Sequence, residues 1–263
     1  MICAVNSAQT RRRFAAALAD PRAAGVASQL GASEAVFGPL PGSGWQFYTG
    51  GEGEIPFALG IRGQTALLAG PADAEELAGF LGFLGVSRLR CAGTVPEGWQ
   101  LRRRYFRMVL SAGEQLPRRE LPAGFSLEEQ PAVSRVTEFL CRGESLSGDQ
   151  QTRDCFYSET CTMVNHGRAL LWTVQSPAGE IAATAGAYAL WNKTAYLAGV
   201  ETARAVRGNG LAGALVAGLA NRLAEQGILV ELLCLPELEE FYRQLGFIKQ
   251  GEVSSYSPPS DSE

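Results

Sequence analysis

The segment Gly199-Val200-Glu201-Thr202-Ala203-Arg204-Ala205-Val206-Arg207-Gly208-Asn209-Gly210-Leu211-Ala212 decides how the whole chain is read. The run over 194–202 predicts a strand that ends near Thr202. A short loop then leads to Gly208 and Gly210, which stand just ahead of a helix predicted over 210–226, apolar at Leu211, Leu215, Leu219 and Leu223. Glycines at such a place let the backbone aim its N–H groups at one point without Cβ obstruction, and the helix N-terminus adds about half a positive charge. Strand, loop and helix together read as an anion cradle, most naturally for a pyrophosphate.

Three nucleotide or packing readings compete for this loop. A P-loop needs Lys and Ser or Thr after its last glycine, and Leu211-Ala212 stand there instead. A dinucleotide fingerprint is formally present, because Gly208, Gly210 and Gly213 fit G-x-G-x-x-G and Glu231 stands near the acidic position. Against it, Ala203 to Arg207 separate the strand from the first glycine, and the preceding strands look antiparallel. The bland reading is a glycine-started helix that merely packs closely.

Working outward, the second half predicts a strand over 125–128, helices over 132–141 and 150–164, and antiparallel strands over 169–175, 180–190 and 194–202. After the long helix come a strand over 228–234, a short helix over 237–245 stopped by Gly246, and a last strand from Phe247. Residues 254–263 read as a frayed tail rich in Ser and Pro. The first half predicts helices over 10–18, 23–30 and 73–84, with strands over 45–49, 56–61, 65–68, 87–91 and 104–110. A polar, proline-bearing stretch over 114–124 separates the halves, giving an N-terminal α/β domain over 1–118 and a second domain over 119–263. Both halves share a rhythm of strand, strand, helix, strand, which a divergent duplication would explain.

Arg207-Gly208-Asn209-Gly210-Leu211-Ala212 fits the pattern Q/R-x-x-G-x-G/A, and Phe241-Tyr242-Arg243-Gln244-Leu245-Gly246-Phe247 fits F-Y-x-x-x-G-F further on. On these two motifs in order, the region over 124–253 resembles the GNAT superfamily of N-acetyltransferases. The resemblance implies an α/β fold with a mixed, largely antiparallel sheet flanked by helices, the N-terminal domain being open to reading as a degenerate copy. It also implies acetyl-CoA, or a related acyl thioester, as co-substrate and no metal. Backbone N–H groups of Arg207, Gly208, Asn209, Gly210, Leu211 and Ala212 would hold the pyrophosphate, and Val200, Glu201 and Thr202 at the strand end would pair with the pantetheine arm. Tyr242 takes the general-acid position, and Glu201 and Glu231 are the candidates for general base. The asparagine that many relatives carry before the last helix is replaced within Cys234-Leu235-Pro236.

Composition narrows the partners. The 263 residues carry 23 Lys+Arg against 27 Asp+Glu, a net charge of −4, so no broad cationic face for nucleic acid is expected. No apolar run approaches the roughly 20 residues of a membrane span, no secretory leader is legible, and a cytoplasmic location is expected. The 6 cysteines are scattered without a C-x-x-C pair and His166 is the single histidine, which leaves little material for zinc or for a Ser or Cys hydrolase. The acceptor is expected to be a small-molecule or peptide amine. The N-terminal half is left to wall the acceptor cleft, to form a homodimer face or to be a decayed duplicate. An NAD-dependent oxidoreductase and a non-catalytic acyl-CoA sensor stay open as alternatives.

Overall fold

One order of elements is written twice along the chain. The computed structural model describes residues 1–50, 55–143, 146 and 149–259. The first run is β1 (Ile2–Ala4), α1 (Ala8–Ala19), α2 (Ala27–Phe37), β2 (Trp45–Gly50), β3 (Ala58–Arg62), β4 (Thr65–Gly70), α3 (Ala74–Phe83) and β5 (Arg88–Gly93). After β6 (Gln100–Leu110) the second run is β7 (Ser126–Glu128), α4 (Val133–Arg142), α5 (Gln150–Asn165), β8 (Leu170–Gln175), β9 (Ile181–Trp191), β10 (Thr194–Thr202), α6 (Leu211–Glu225) and β11 (Leu229–Cys234). Helix α7 (Glu239–Leu245) and strand β12 (Ile248–Ser257) end the chain.

Pairing repeats with the order. Strands β1–β2, β2–β3 and β3–β4 pair antiparallel and β4–β5 parallel. Strands β7–β8, β8–β9 and β9–β10 likewise pair antiparallel and β10–β11 parallel. Each parallel step is bridged by a helix, α3 or α6, as a crossover between parallel neighbours requires. The sheet is thus mixed, largely antiparallel and flanked by helices, the α/β class expected from the sequence.

Contacts group the chain into two units: Met1–Arg107 with Leu233–Glu237 and Gln250–Glu263, and Met108–Leu232 with Leu238–Lys249. The sequence division at 118/119 put the last strand with the second domain, whereas the contacts group it with the first. Its pairing gives the reason, for Ser254, Ser255 and Tyr256 lie antiparallel to Cys91, Arg90 and Leu89 of β5. Residues 254–257, expected to fray, are therefore ordered strand, and 260–263 lie outside the described residues.

In the first unit Leu59, Ile61, Ala66, Leu68 and Leu89 from the strands meet Leu77 and Leu81 of α3 in one buried core. Helix α2 runs from Ala27, later than the expected start at 23, because Gly25 takes φ +89°, a left-handed conformation that a helix cannot propagate. It continues to Phe37 with Leu30, Gly31, Ala32, Ser33 and Val36 all buried, so the apolar period on which a sequence reading depends is lost.

In the second unit α6 is buried over most of its circumference, and Trp172 Cζ3 lies only 3.3 Å from where a Cβ on Gly218 would be. The stretch over 114–124 is docked here. Leu116 is 3% exposed, its N–H donates to Asn221 Oδ1 at 2.7 Å, and Asn221 Nδ2 donates to its carbonyl at 3.0 Å. One buried amide thus satisfies both backbone groups of a buried turn, as burial demands.

Candidate active site

Strand β10 parts from β11 before its C-terminal end and bulges away from β9 over one short stretch before rejoining it at Glu201 and Thr202. It pairs with β11 over Thr194 to Leu197, opposite Leu229 to Leu232, and continues to Thr202 without that partner in the register. On the other side the ladder with β9 is irregular between Ala198 and Glu201, so Gly199 and Val200 fall outside the regular register. Gly199 supplies the bend at φ +61°, with the Tyr188 ring packed where its Cβ would stand. A bent strand end offers N–H and C=O groups to an extended, amide-bearing ligand.

The loop that follows is tied by its own side chains. Arg207 Nε donates to Thr202 O at 3.1 Å and Asn209 Nδ2 to Val206 O at 3.1 Å. Gly208 and Gly210 take φ +83° and +78°, and a Cβ at either would meet nothing within 4 Å. Glycine is needed for the left-handed backbone, then, rather than to relieve crowding. Gly210 is the N-cap of α6, with no side chain accepting from the first turn and no acidic residue in that turn. The first N–H groups of a helix have no intrahelical acceptor, and here they carry the positive end of a 15-residue helix.

Both features open on one cleft of about 300 Å³. Val200, Glu201 and Thr202 line it from the strand, Arg207 and Ala212 from the loop and helix, and Leu238, Phe241 and Tyr242 from the segment closing the second unit. Six of the residues singled out in the sequence therefore meet at one place. Gly208, Asn209 and Gly210 belong to the connecting loop, and Leu211 is 1% exposed with its side chain in the core. Glu231 lies outside this lining, 2% exposed on β11 in register with Tyr196.

Tyr242 is 6% exposed and held edge-on between Phe241 and Phe247, with ring centroids at 5.0 and 6.0 Å. Glu201 is 8% exposed, and a Cβ added to Gly143 would overlap its carboxylate. Gly143, the C-cap of α4, is a neighbour that the sequence reading missed, since nothing links positions 143 and 201 before the chain folds. Behind the bend, the Tyr188 hydroxyl is buried without a hydrogen-bond partner among the described residues, and burial pushes its pKa up. Trp172, Tyr188, Trp191 and Tyr196 line no part of this cleft.

Among the described residues the first unit shows no counterpart of this arrangement. Its parallel pair β4–β5 stays in register for six steps to Gly70 opposite Gly93, where Gly70 O lies too close for any Cβ at Gly93. Helix α3 opens on Asp73, whose carboxylate already accepts from Glu76 N at 2.8 Å, followed by Glu75 and Glu76. A closed pair and an acidic first turn disfavour an anion there.

Residues 136–247 match the sequence model of the acetyltransferase (GNAT) family. A search of curated proteins gives no match. Among solved structures, a GCN5-related N-acetyltransferase from Sphaerobacter thermophilus superposes with a TM-score of 0.62 at 15% identity, covering 99% of this chain and 98% of that one. A tandem GNAT protein from the clavulanic acid biosynthesis pathway gives 0.61 at 16%, covering 99% of both chains. A GCN5-related N-acetyltransferase from Kribbella flavida gives 0.57 at 16%, over 78% of this chain and 87% of that one. At these identities the likeness is one of fold, and it extends to two-domain structures over the full length.

Proposed function

We propose, from the match of residues 136–247 to the GNAT acetyltransferase family model, that the protein transfers an acetyl group from acetyl-CoA to a small-molecule or peptide amine. The observation that carries the reading is the meeting of a bent strand end and an uncapped, acid-free helix start on one cleft with Glu201 and Tyr242.

The residues present fit the donor. Main-chain N–H groups from Arg207 to Ala212 hold the pyrophosphate, and backbone groups of Val200 to Thr202 pair with the amides of the pantetheine arm. The thioester supplies the activated acyl carbon and a thiolate leaving group. An amine of ordinary pKa, about 10.4 for a lysine-like group, must lose a proton to attack, and Glu201 takes it directly or through water. Glu231, buried outside the cleft lining, is the second candidate for that role. As the new C–N bond forms and the C–S bond breaks, Tyr242 gives its proton to the departing sulfur. A backbone N–H at the strand bend steadies the oxyanion in between.

The antiparallel β9–β10 pair and the turn Arg204–Val206 between strand and glycines weigh against the dinucleotide alternative. Six cysteines joined in no disulfide suit a reducing, cytoplasmic setting. Free-thiol release from acetyl-CoA, screened over an amine panel, tests the activity. NAD(H) bound in preference to coenzyme A would replace the reading with a dehydrogenase, and donor binding without thiol release would leave a sensor. Because the first unit has a closed strand pair and an acidic helix start, calorimetry is expected to count one acetyl-CoA per chain.

A further inference from the structure

The β9–β10 ladder slips its register twice, and the two slips cancel. From Thr194 opposite Trp191 to Tyr196 opposite Ala189 the strands run in step. The next residue of β10, Leu197, faces Ala187, so Tyr188 is an extra residue on β9. Ala198 then faces Gly186 and Glu201 faces Thr184, three residues along β10 against two along β9, which leaves Gly199 and Val200 opposite Ala185 alone. Beyond this second bulge Glu201 and Thr202 are back in the register with which the hairpin began.

A continuous ladder is therefore open to the same residues. With neither bulge, Leu197 would face Tyr188, Ala198 would face Ala187, Gly199 would face Gly186 and Val200 would face Ala185. That flat form makes more ladder hydrogen bonds, so the bulged form needs a support of its own. It is the bulged form that presents the strand end to the donor cleft.

The packing of Tyr188 supplies that support. Its ring covers two glycines, one on each strand. A Cβ on Gly186 would stand 2.8 Å from Tyr188 Cε2, and a Cβ on Gly199 2.8 Å from both Cε2 and Oη, so a side chain at either place would displace the ring. Phe156 of α5 holds the ring from its other side, with centroids 5.7 Å apart, and Tyr188 packs on the buried cluster of Val136, Leu140 and Leu171. The side chain that forms the bulge of one strand thus fills the bulge of the other. The ring is kept there at a cost, since its hydroxyl is buried without a hydrogen-bond partner among the described residues.

We propose that Tyr188 is a positioning residue for the donor: its ring locks the two bulges together and holds the β10 backbone at Gly199 and Val200 open to the pantetheine arm before the donor arrives. Tyr188 lines no part of the cleft and acts through the strand, so its contribution is preorganisation. The proposal rests on the reading of that cleft as the acetyl-CoA site.

Amide hydrogen exchange on the full-length protein, beside calorimetric titration with CoA, tests it. In the wild type without CoA, the amides of Gly199 and Val200 should exchange about 100-fold faster or more than those of Ala195 and Leu197, which have partners on both sides. Tyr188→Leu removes the ring and should let the ladder close. One of the two amides then points at β9 and should slow about tenfold or more, and CoA should bind about tenfold more weakly. Tyr188→Phe keeps the ring and should match the wild type within about twofold in both measurements. A packing residue with no positioning role would lower the melting temperature of the leucine variant and leave exchange at 199 and 200 unmoved. Equal protection of all these amides in the wild type, unmoved exchange or affinity in the leucine variant, or a phenylalanine variant that behaves as the leucine one overturns the proposal, and the first of these needs no variant to fold. Wild-type protein that binds no CoA would instead end the donor reading itself, and the positioning role with it.

Discussion

Tyr242 and Tyr188 place the same phenol in opposite situations. The ring of Tyr242 is clasped by Phe241 and Phe247 and the residue lines the cleft, so replacement by phenylalanine keeps the packing and removes the proton. Tyr242→Phe is expected to lower turnover about 100-fold while donor affinity stays within about twofold, the signature of a lost general acid. Steady-state rates beside calorimetry check this, and unchanged turnover would deny Tyr242 the role. Tyr188 has a buried hydroxyl with no partner among the described residues, a group that costs about 1–3 kcal/mol to hide. Tyr188→Phe should therefore raise stability by about 1 kcal/mol in urea unfolding at neutral pH. Its pH dependence has a definite sign. Burial lifts the folded pKa above the ordinary value of 10.0, so above that pH the unfolded chain gives up a proton that the folded one keeps. Stability then falls with rising pH by up to about 1.4 kcal/mol per unit, and the phenylalanine variant should lose that part of the slope.

The loop between β10 and α6 was readable because local rules write it: glycines where φ turns positive, then a small-residue helix. That the same helix start is uncapped and acid-free was also visible in sequence. The strand bend was not, since where β10 stops pairing with β11 depends on partners more than 25 residues away in register, Leu197 with Leu232. Nor was the start of α2, where Gly25 at φ +89° and all-round burial erase the amphipathic signal. Glu201 could be picked out as an acid at a strand end, but its packing on Gly143 could not. One helix supplies a matched test of the loop. Gly210 and Gly227 bracket α6 at φ +78° and +74°, and a Cβ at either meets nothing within 4 Å. Valine at each should cost about 1–2 kcal/mol of backbone strain, equally in thermal unfolding. Only Gly210→Val should weaken acetyl-CoA, about tenfold or more, because only that end presents free N–H groups to the cleft. Equal donor affinities in the two variants would detach the helix start from donor binding.

The duplication of β-α-α-β-β-β-α-β leaves each parallel pair with an outer edge, and in the first unit the strand beside β5 comes from the far end of the sequence. A periodicity scan cannot see this, because Ser254 to Ser257 have the polar composition of a tail; what orders them is the ladder to Leu89, Arg90 and Cys91. Val253 is 1% exposed and packs into the space left by the missing side chain of Gly25. Arg107 Nη1 reaches Gln250 Oε1 at 3.4 Å and Arg102 Nε reaches Ser257 Oγ at 2.6 Å. Burial of Val253 and half-buried Tyr256 is worth about 1.5–3 kcal/mol each at most, before the lost ladder is counted. A chain ended after Lys249 should therefore expose an unpaired edge on β5 and loosen the first unit selectively. Hydrogen exchange reads this strand by strand: amides of β4 and β5 should exchange about 100-fold faster or more, the factor that corresponds to about 3 kcal/mol, while those of β8 and β9 keep their protection. Unaltered protection in β5 would mean that the first unit closes without its borrowed strand, and the integrity of this unit would then rest on residues 1–107 together with 233–237.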